Sequence, residues 1–314
     1  MRTAGRWAVD TVAVLLALSA GTFALVLLAR GDAAAILAAT RAGRSATPEQ
    51  VEAVRVELGL DAPALVRYVR WLGDAVTGDF GLSLRTGTPI GPEIGDRMAV
   101  TIWLVGGSAL VALTVGLAVG IAGAVLGRGL ARGALRSGAL LLTSMPAFWL
   151  SYLLVLLLAL RLHLLPTSGM GGPATWVMPM VVLGLPAAGA LSRVVAVTLR
   201  EALDKPYVLA ARARGSGPVS IVVRDGLPNA AGPILSLAGI TIGMLLVGTV
   251  VVEQIFGWPG LGDYFVHAAA ARDVPALQAG ALILGGGFIL ANRLADVLQA
   301  LIDPRFRRLR KGAA

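Results

Sequence analysis

Three runs without a charged side chain constrain what this chain can fold into: Met98–Gly127, Ser137–Leu160 and Gly226–Val252. A helix rises about 1.5 Å per residue and the hydrocarbon core of a bilayer is about 30 Å thick, so about 20 apolar residues cross it. Each run is long enough. Only 14% of the 314 residues are charged and 56% are hydrophobic, whereas roughly a quarter of a soluble domain is charged. In lipid the backbone must satisfy itself, which a helix does within its own segment. The pattern therefore predicts an all-α polytopic membrane protein. Six transmembrane helices are expected, at about 8–29, 99–126, 137–160, 174–195, 228–252 and 275–302. The apolar run of the first, Thr11–Ala29, exceeds the roughly 7–15 residues of a signal-peptide core and reads as a retained span.

The net charge of +9 does not indicate a nucleic-acid partner, because the basic residues flank the spans, as the positive-inside rule describes. Arg2 and Arg6 precede the first span, and Arg128, Arg132 and Arg136 follow the second without an acid. Arg193, Arg200, Lys205, Arg212, Arg214 and Arg224 follow the fourth, against Glu201, Asp204 and Asp225. The tail DPRFRRLRKGAA holds five basic residues and one acid. The opposite loops are poorer: TSGMGGPAT is neutral, and Glu253–Asp273 has three acids and one arginine. Both termini and the basic loops are expected on the cytoplasmic side of the membrane, with lipid around the spans. There is no cysteine, and the two histidines, His163 and His267, lie far apart and read as polar loop residues. No metal or cofactor site is expected in this chain.

Residues 31–97 form a long connection, predicted to be helical and extracytoplasmic. TPEQVEAVRVELG has the marks of a capped helix: Thr47 as N-cap, Pro48 at the first position, Gln50 returning to the cap and Gly59 just past the end. A second helix is expected from about Pro63 to Val76, with Leu65, Val69, Leu72 and Val76 on one face. It would act as a lid over span ends, an outer vestibule or a docking surface. The expected division is 1–30 for the first span, 31–97 for the outer segment and 98–314 for the membrane core, with a basic loop at 201–228 whose coupling role rests on the resemblance described below.

Within the core, Gly116 and Gly120 are spaced for close helix approach. Pro146, Pro179 and Pro186 interrupt spans three and four and are expected to kink them, beside a pathway or by packing alone. At the end of span five, GWPGLG forces a tight turn. Taken by itself, Glu253 reads as a solvated helix-end carboxylate and Trp258 as an interfacial anchor. In span six, Asn292, Arg293 and Asp296 cluster, and the last two are three apart on one helical face. They read as a structural ion pair or as pathway groups.

The stretch YVLAARARG follows Pro206, a good first helical residue, and ends at Gly215. About two helical turns from Tyr207 to Arg214 would give Ala210, Ala211 and Ala213 a low-relief side, with charge at Arg212 and Arg214. Such a rod suits a partner's groove or an anionic lipid surface. The stretch resembles the cytoplasmic loop of membrane subunits of ATP-binding cassette importers, with the pattern E-A-A-x3-G-x9-I-x-L-P. Ala210, Ala211, Gly215, Leu227 and Pro228 match it; Leu209 and Asp225 depart from it. TPEQVEAVRVELGL, YVRWLGDAVTGDFGLS, PAFWL, LPNA, VVVEQIFGWPGLG and DPRFR are similar to the dipeptide/oligopeptide (peptide/nickel) permease branch, in its order. RGDAAAI after the first span and Arg293 in the last depart from that branch.

The resemblance implies the type I importer fold in a bacterial plasma membrane and one half of a translocation pore for di- or oligopeptides. It places an outer gate at the end of span five, with Trp258 in it, where Glu253 would order the gate or meet a peptide's ammonium. It also implies four partners: a homologous second permease subunit, two cytoplasmic ATP-binding subunits and an extracytoplasmic solute-binding protein. Residues Tyr207–Gly215 would be the coupling helix, with Tyr207 as anchor. Because no G-x4-G-K-[ST] is present, ATP and Mg would be bound by the partners. Other classes fit less well. An intramembrane hydrolase or transferase would need a motif such as H-E-x-x-H or D-D-x-x-D, and neither is present. A tether for ATPases would carry no solute. Within transport, the alternative cargo is a metal chelate such as liganded nickel.

Overall fold

The computed structural model describes residues 2–28, 32–43, 45–127 and 129–302. Arg30, Arg128, the tail from Asp303 and the side chains of Arg2 and Arg6 lie outside the described residues. Among those described, the regular structure is helical, with one isolated bridge between Leu82 and Pro89 and turns or loops between the helices. The helices are α1 (Arg2–Leu28), α2 (Ala33–Ala42), α3 (Pro48–Glu57), α4 (Ala64–Val76), α5 (Ile90–Val125), α6 (Leu130–Ser144) and α7 (Ala147–Leu154). There follow α8 (Pro173–Leu203), α9 (Pro206–Ala213), α10 (Pro218–Ser220), α11 (Leu227–Phe256), α12 (Leu261–Ala270) and α13 (Val274–Ile302). Wider turns of π-helix at Val155–Arg161 and Ile221–Gly226 continue α7 and join α10 to α11.

Five stretches are long and apolar enough to cross a membrane: Val9–Leu28, Ile90–Val125, Pro173–Leu203, Pro218–Phe256 and Val274–Leu294. A sixth is the pair Leu130–Ser144 and Ala147–Arg161, bent by 105°. This is where the third span departs from a single helix over 137–160. Pro146 cannot donate a helical hydrogen bond and excludes its predecessor from helical geometry. Met145 accordingly adopts φ −78°, ψ 124°, and Pro146 begins the next helix as its cap. Pro179 and Pro186, expected to kink span four, lie inside the uninterrupted α8. Several helices also outrun their apolar windows: α5 starts at Ile90 and α8 ends at Leu203. Charge ends the membrane-compatible stretch without ending the hydrogen-bond ladder.

The chain divides into two compact units, so far as their residues are described: Met1–Thr101 with Pro259–Ile289, and Ile102–Trp258 with Leu290–Ala314. In the first, Thr47 caps α3 as the spacing predicts, accepting from the Gln50 backbone while Gln50 Oε1 accepts from the Thr47 backbone. Helix α2 was not anticipated. Asp32, in the stretch where the family turn is altered, caps it by accepting from the Ala34 N–H at 3.0 Å. Ala34, Leu37, Ala38, Val54 and Leu84 form the small core of this segment. A bidentate Arg41–Glu57 pair closes it at the surface, and the Arg41 guanidinium holds the Glu57 carboxyl below its usual range.

The second unit is built on close approach. A Cβ at Gly120 would stand 2.5 Å from Val195 Cβ, and one at Gly116 3.0 Å from Leu191 Cβ. These small residues let α8 lie against α5 as their spacing suggests. Leu191, Val195 and Leu199 of α8 then meet Ala124 of α5 and Ala230 and Ile234 of α11 in one core. Arg200 donates to the carbonyls of Gly123 and Ala124, at 2.6 and 3.2 Å. A guanidinium there satisfies the last carbonyls of α5 and complements its dipole.

Candidate functional site

Helix α9 stands between α8 and α11, and its construction explains its exposure. Lys205 is extended, Pro206 supplies the first helical residue, and two turns follow. The end is a Schellman motif: Ser216 N–H donates to the Ala211 carbonyl at 3.1 Å and Gly215 N–H to that of Arg212 at 2.9 Å. This turn needs the left-handed φ of +83° found at Gly215, a conformation a side chain makes costly.

The helix seats itself through Val208 and Ala211, 1% and 0% exposed, against Ile221 and Leu203. Ala211 is therefore not on the open side; of the three alanines grouped from sequence, Ala210 and Ala213 are exposed and Ala211 is buried. Leu209, Arg212 and Arg214 are exposed, Tyr207 is half-exposed, and Val219 and Val223 extend the apolar surface beyond the helix. The open face is thus aliphatic at its centre and bordered by guanidiniums. Leu209, at the position of the family glutamate, is 65% exposed and offers no charge.

The end of α11 is the opposite case. Glu253 is fully buried and Trp258 only 1% exposed. Neither the solvated carboxylate nor the interfacial anchor describes them. The Trp258 N–H caps the helix by donating to the Glu253 carbonyl at 2.9 Å, and Gly169 N–H donates to the Phe256 carbonyl at 2.8 Å. The Trp258 indole Nε1 is buried without an acceptor. Pro146 is exposed at the bend between α6 and α7. Arg293 and Asp296 lie together, Nη1 to Oδ2 at 3.7 Å and partly exposed, beside Asn292 on the same helix.

Two groups in the first unit escaped the sequence reading. Asp273 is 2% exposed. It accepts from Ser83 Oγ and from the backbone N–H groups of Leu84, Arg85 and Ala276. It thereby ties the turn at 83–85 to the start of α13. Arg97 bridges Glu93 and Asp263 at 3.0 and 3.2 Å and lies over the Tyr264 ring at 5.0 Å. These partners are up to 190 residues apart, and no local spacing announces them. Asp263 also meets Nδ1 of His267 at 3.3 Å, which sits on α12 and not in a loop. Among the described residues no group of three or more His, Cys, Asp or Glu could hold a metal ion.

The geometry is that of a multi-span helical core with a short exposed rod between two spans. Residues 112–308 match the family model of the binding-protein-dependent transport system inner membrane component. Residues 1–104 match the model of that system's N-terminal membrane component. The chain is a permease of the peptide-type ABC importer family. This permease is 35% identical to a peptide transport system permease of Brucella abortus, over 95% of its own length and 96% of the relative's. It is 35% identical to the glutathione transport system permease of Escherichia coli, over 94% and 95%. To the metal-staphylopine import system permease of Staphylococcus aureus it is 32% identical, over 94% of both. Its fold is that of type I importer permeases. A chain of the inward-facing methionine transporter MetNI superposes with a TM-score of 0.55 at 19% identity, covering 67% of this permease and 96% of that chain. The family is a transport subunit and not itself catalytic.

Proposed function

We propose that this permease forms half of a pore that imports di- or oligopeptides. In this reading a homologous permease supplies the other half, and two cytoplasmic subunits bind ATP and Mg. A solute-binding protein delivers the peptide to the outer side. Both termini and α9 face the cytoplasm, and residues 31–97 and 253–273 face outward. The observation that carries the coupling role is the two-sidedness of α9. Its inner face is locked to Leu203 and Ile221, which continue into α8 and α11. Its outer face, with Leu209, Ala210, Arg212, Ala213 and Arg214, is open. A motor that grips the outer face would move two spans through the inner one. Tyr207 serves as anchor at the start of the helix and Gly215 as its fixed end. Glu253 and Trp258 brace the outer gate, Pro146 supplies the hinge between α6 and α7, and Asn292, Arg293 and Asp296 act near the pathway.

The test is uptake of a labelled tripeptide by the four-part complex in vesicles. Tyr207→Ala should leave the complex inserted and its ATPase subunits active, while uptake per ATP falls. Undiminished uptake would refute the coupling role. A second cargo, a metal chelate, is favoured by the likeness to the staphylopine permease. The solute that co-purifies with the binding protein separates the two.

A further inference from the structure

Helix α9 is joined to its two spans unequally. On one side α8 runs without interruption from Pro173 to Leu203, and only Asp204 and Lys205 separate it from α9. Arg200, near that end, is tied to the last carbonyls of α5. On the other side a helix starts at Pro218 and reaches Phe256, but its residues Ile221–Gly226 wind as a π-helix. The Leu227 N–H reaches back five residues to the Val222 carbonyl, where an α-helix reaches back four.

Pro228 explains the wide turn. It has no N–H for the Arg224 carbonyl four residues back, and in α geometry its ring would crowd that carbonyl. Winding one residue wider relieves the contact. The Asp225 carbonyl is met by a side chain, Asn229 Nδ2 at 2.7 Å. Gly226 brings the turn against α8: a Cβ there would stand 2.7 Å from Leu199 Cδ1 and 3.1 Å from Leu203 Cδ2. Val223 and Arg224 are exposed, so the turn is held on one side and free on the other. It also lies between two packing clusters. Ile221, at its start, belongs to the α9 seat with Val208 and Ala211. Leu227, just past its end, packs on the core shared by α5, α8 and α11. A change of angle between α9 and α11 is therefore taken up in these residues. Turns of π-helix are rare, cluster at functional places and are among the points where helices bend. Exchanging a five-residue bond for a four-residue one is a discrete alternative, as a switching element requires.

We infer that Ile221–Gly226 is a swivel. When a partner drives α9, the stroke passes directly into α8, and α11 changes its angle to α9 at this turn. The inference rests on the coupling role of α9 proposed above and adds that the two spans are not driven alike.

Deleting Arg224 together with Pro228→Ala removes the extra residue and the proline, so the helix can wind as α throughout while Ile221 and Leu227 keep their faces. The purified variant should resist trypsin at Arg212 and Arg214 as the parent does, which reports an intact seat, and should retain its ATPase subunits. In the four-part complex in vesicles it should nevertheless move about tenfold less labelled tripeptide per ATP. Parental uptake per ATP with the seat intact overturns the swivel. If the variant loses its seat or does not assemble, hydrogen exchange in the parent complex decides. Between the nucleotide-free complex and one trapped with ATP and vanadate, amides of residues 221–227 should change their exchange rate by about threefold or more, and those of residues 240–250 should not. Equal exchange of residues 221–227 in both forms overturns the swivel. Tyr207→Ala separates this from the coupling role itself. If that variant imports as the parent does, α9 is not the drive; if the swivel alone is wrong, Tyr207→Ala remains impaired.

Discussion

Helix α9 and the turn at residues 83–85 are each fixed within their own unit, and by opposite means. The α9 seat is three apolar side chains, Val208, Ala211 and Ile221. The 83–85 turn hangs on one buried carboxylate, Asp273, with a hydroxyl and three N–H groups converging on it. Apolar contact is non-directional and tolerates similar shapes. A buried charge with several donors specifies one geometry and leaves costly orphans when broken. The first arrangement suits a rod that must ride with its spans while its other face binds something else. The second suits a wall that must not move.

Substitutions can break this comparison, the largest effect first. Asp273→Ala should orphan four donors and destabilise the first unit by more than about 4 kcal/mol, at about 1–3 per unsatisfied group. Thermal unfolding in detergent would read this directly, and an unchanged midpoint would mean that the carboxylate is not what holds the turn. Ala211→Asp should cost about 3 kcal/mol by driving a carboxylate into the apolar seat. Ala213→Asp, on the open side, should cost little. Trypsin cleavage at Arg212 and Arg214 should rise for the first variant and not for the second.

Next in size is the open face itself. Tyr207→Ala should weaken the grip of the ATPase subunits by about 2 kcal/mol, roughly 30-fold, with the permease's own stability within about 0.5 kcal/mol of the parent's. Pull-down of the ATPase subunits against permease concentration measures this. Gly215→Ala should cost about 1 kcal/mol by forcing a side chain into the left-handed region.

The smallest effect sharpens the contrast from the polar side. Burial pushes the Tyr264 phenol from 10.0 up to about 12, and the charges of Glu93 and Asp273 add to it. The folded state therefore keeps a proton that the unfolded state releases, so stability should fall as the pH rises from 10.0 to about 12. Tyr264 Oη is buried without a partner, so Tyr264→Phe should leave neutral-pH stability unchanged or slightly raised and flatten that alkaline decline. A steeper decline in the variant would contradict the assignment. The exposed Arg41–Glu57 pair should matter least. Because its carboxyl is shifted down, its contribution is present above the ordinary carboxylate range and fades as the pH falls through the lowered value.

Much of the fold was legible because the signals are local. Charge-free runs marked the spans, Thr47 and Gln50 marked the start of α3, and Pro206 and Gly215 bracketed α9. Pro146 announced a break, though not that it would turn the third span by 105°. The candidate sites were legible as positions and not as environments. Glu253 and Trp258 looked like boundary residues and are buried, at a helix end where the distant Gly169 N–H also donates to the Phe256 carbonyl. Ala211 looked like its neighbours Ala210 and Ala213, but it is the alanine of the three that packs with Val208 against Ile221.

What the sequence determined unaided is therefore whatever a window of a few residues settles: which segments suit lipid, where helices begin and end, and where a left-handed residue is needed. These depend on transfer free energy and backbone sterics, which are properties of the segment itself. Only the tertiary structure decided which side of α9 is open and which carboxylate is shielded. Those outcomes depend on which distant segments meet, as Asp273 does Ser83 across 190 residues, and burial is a property of the pair and not of either member.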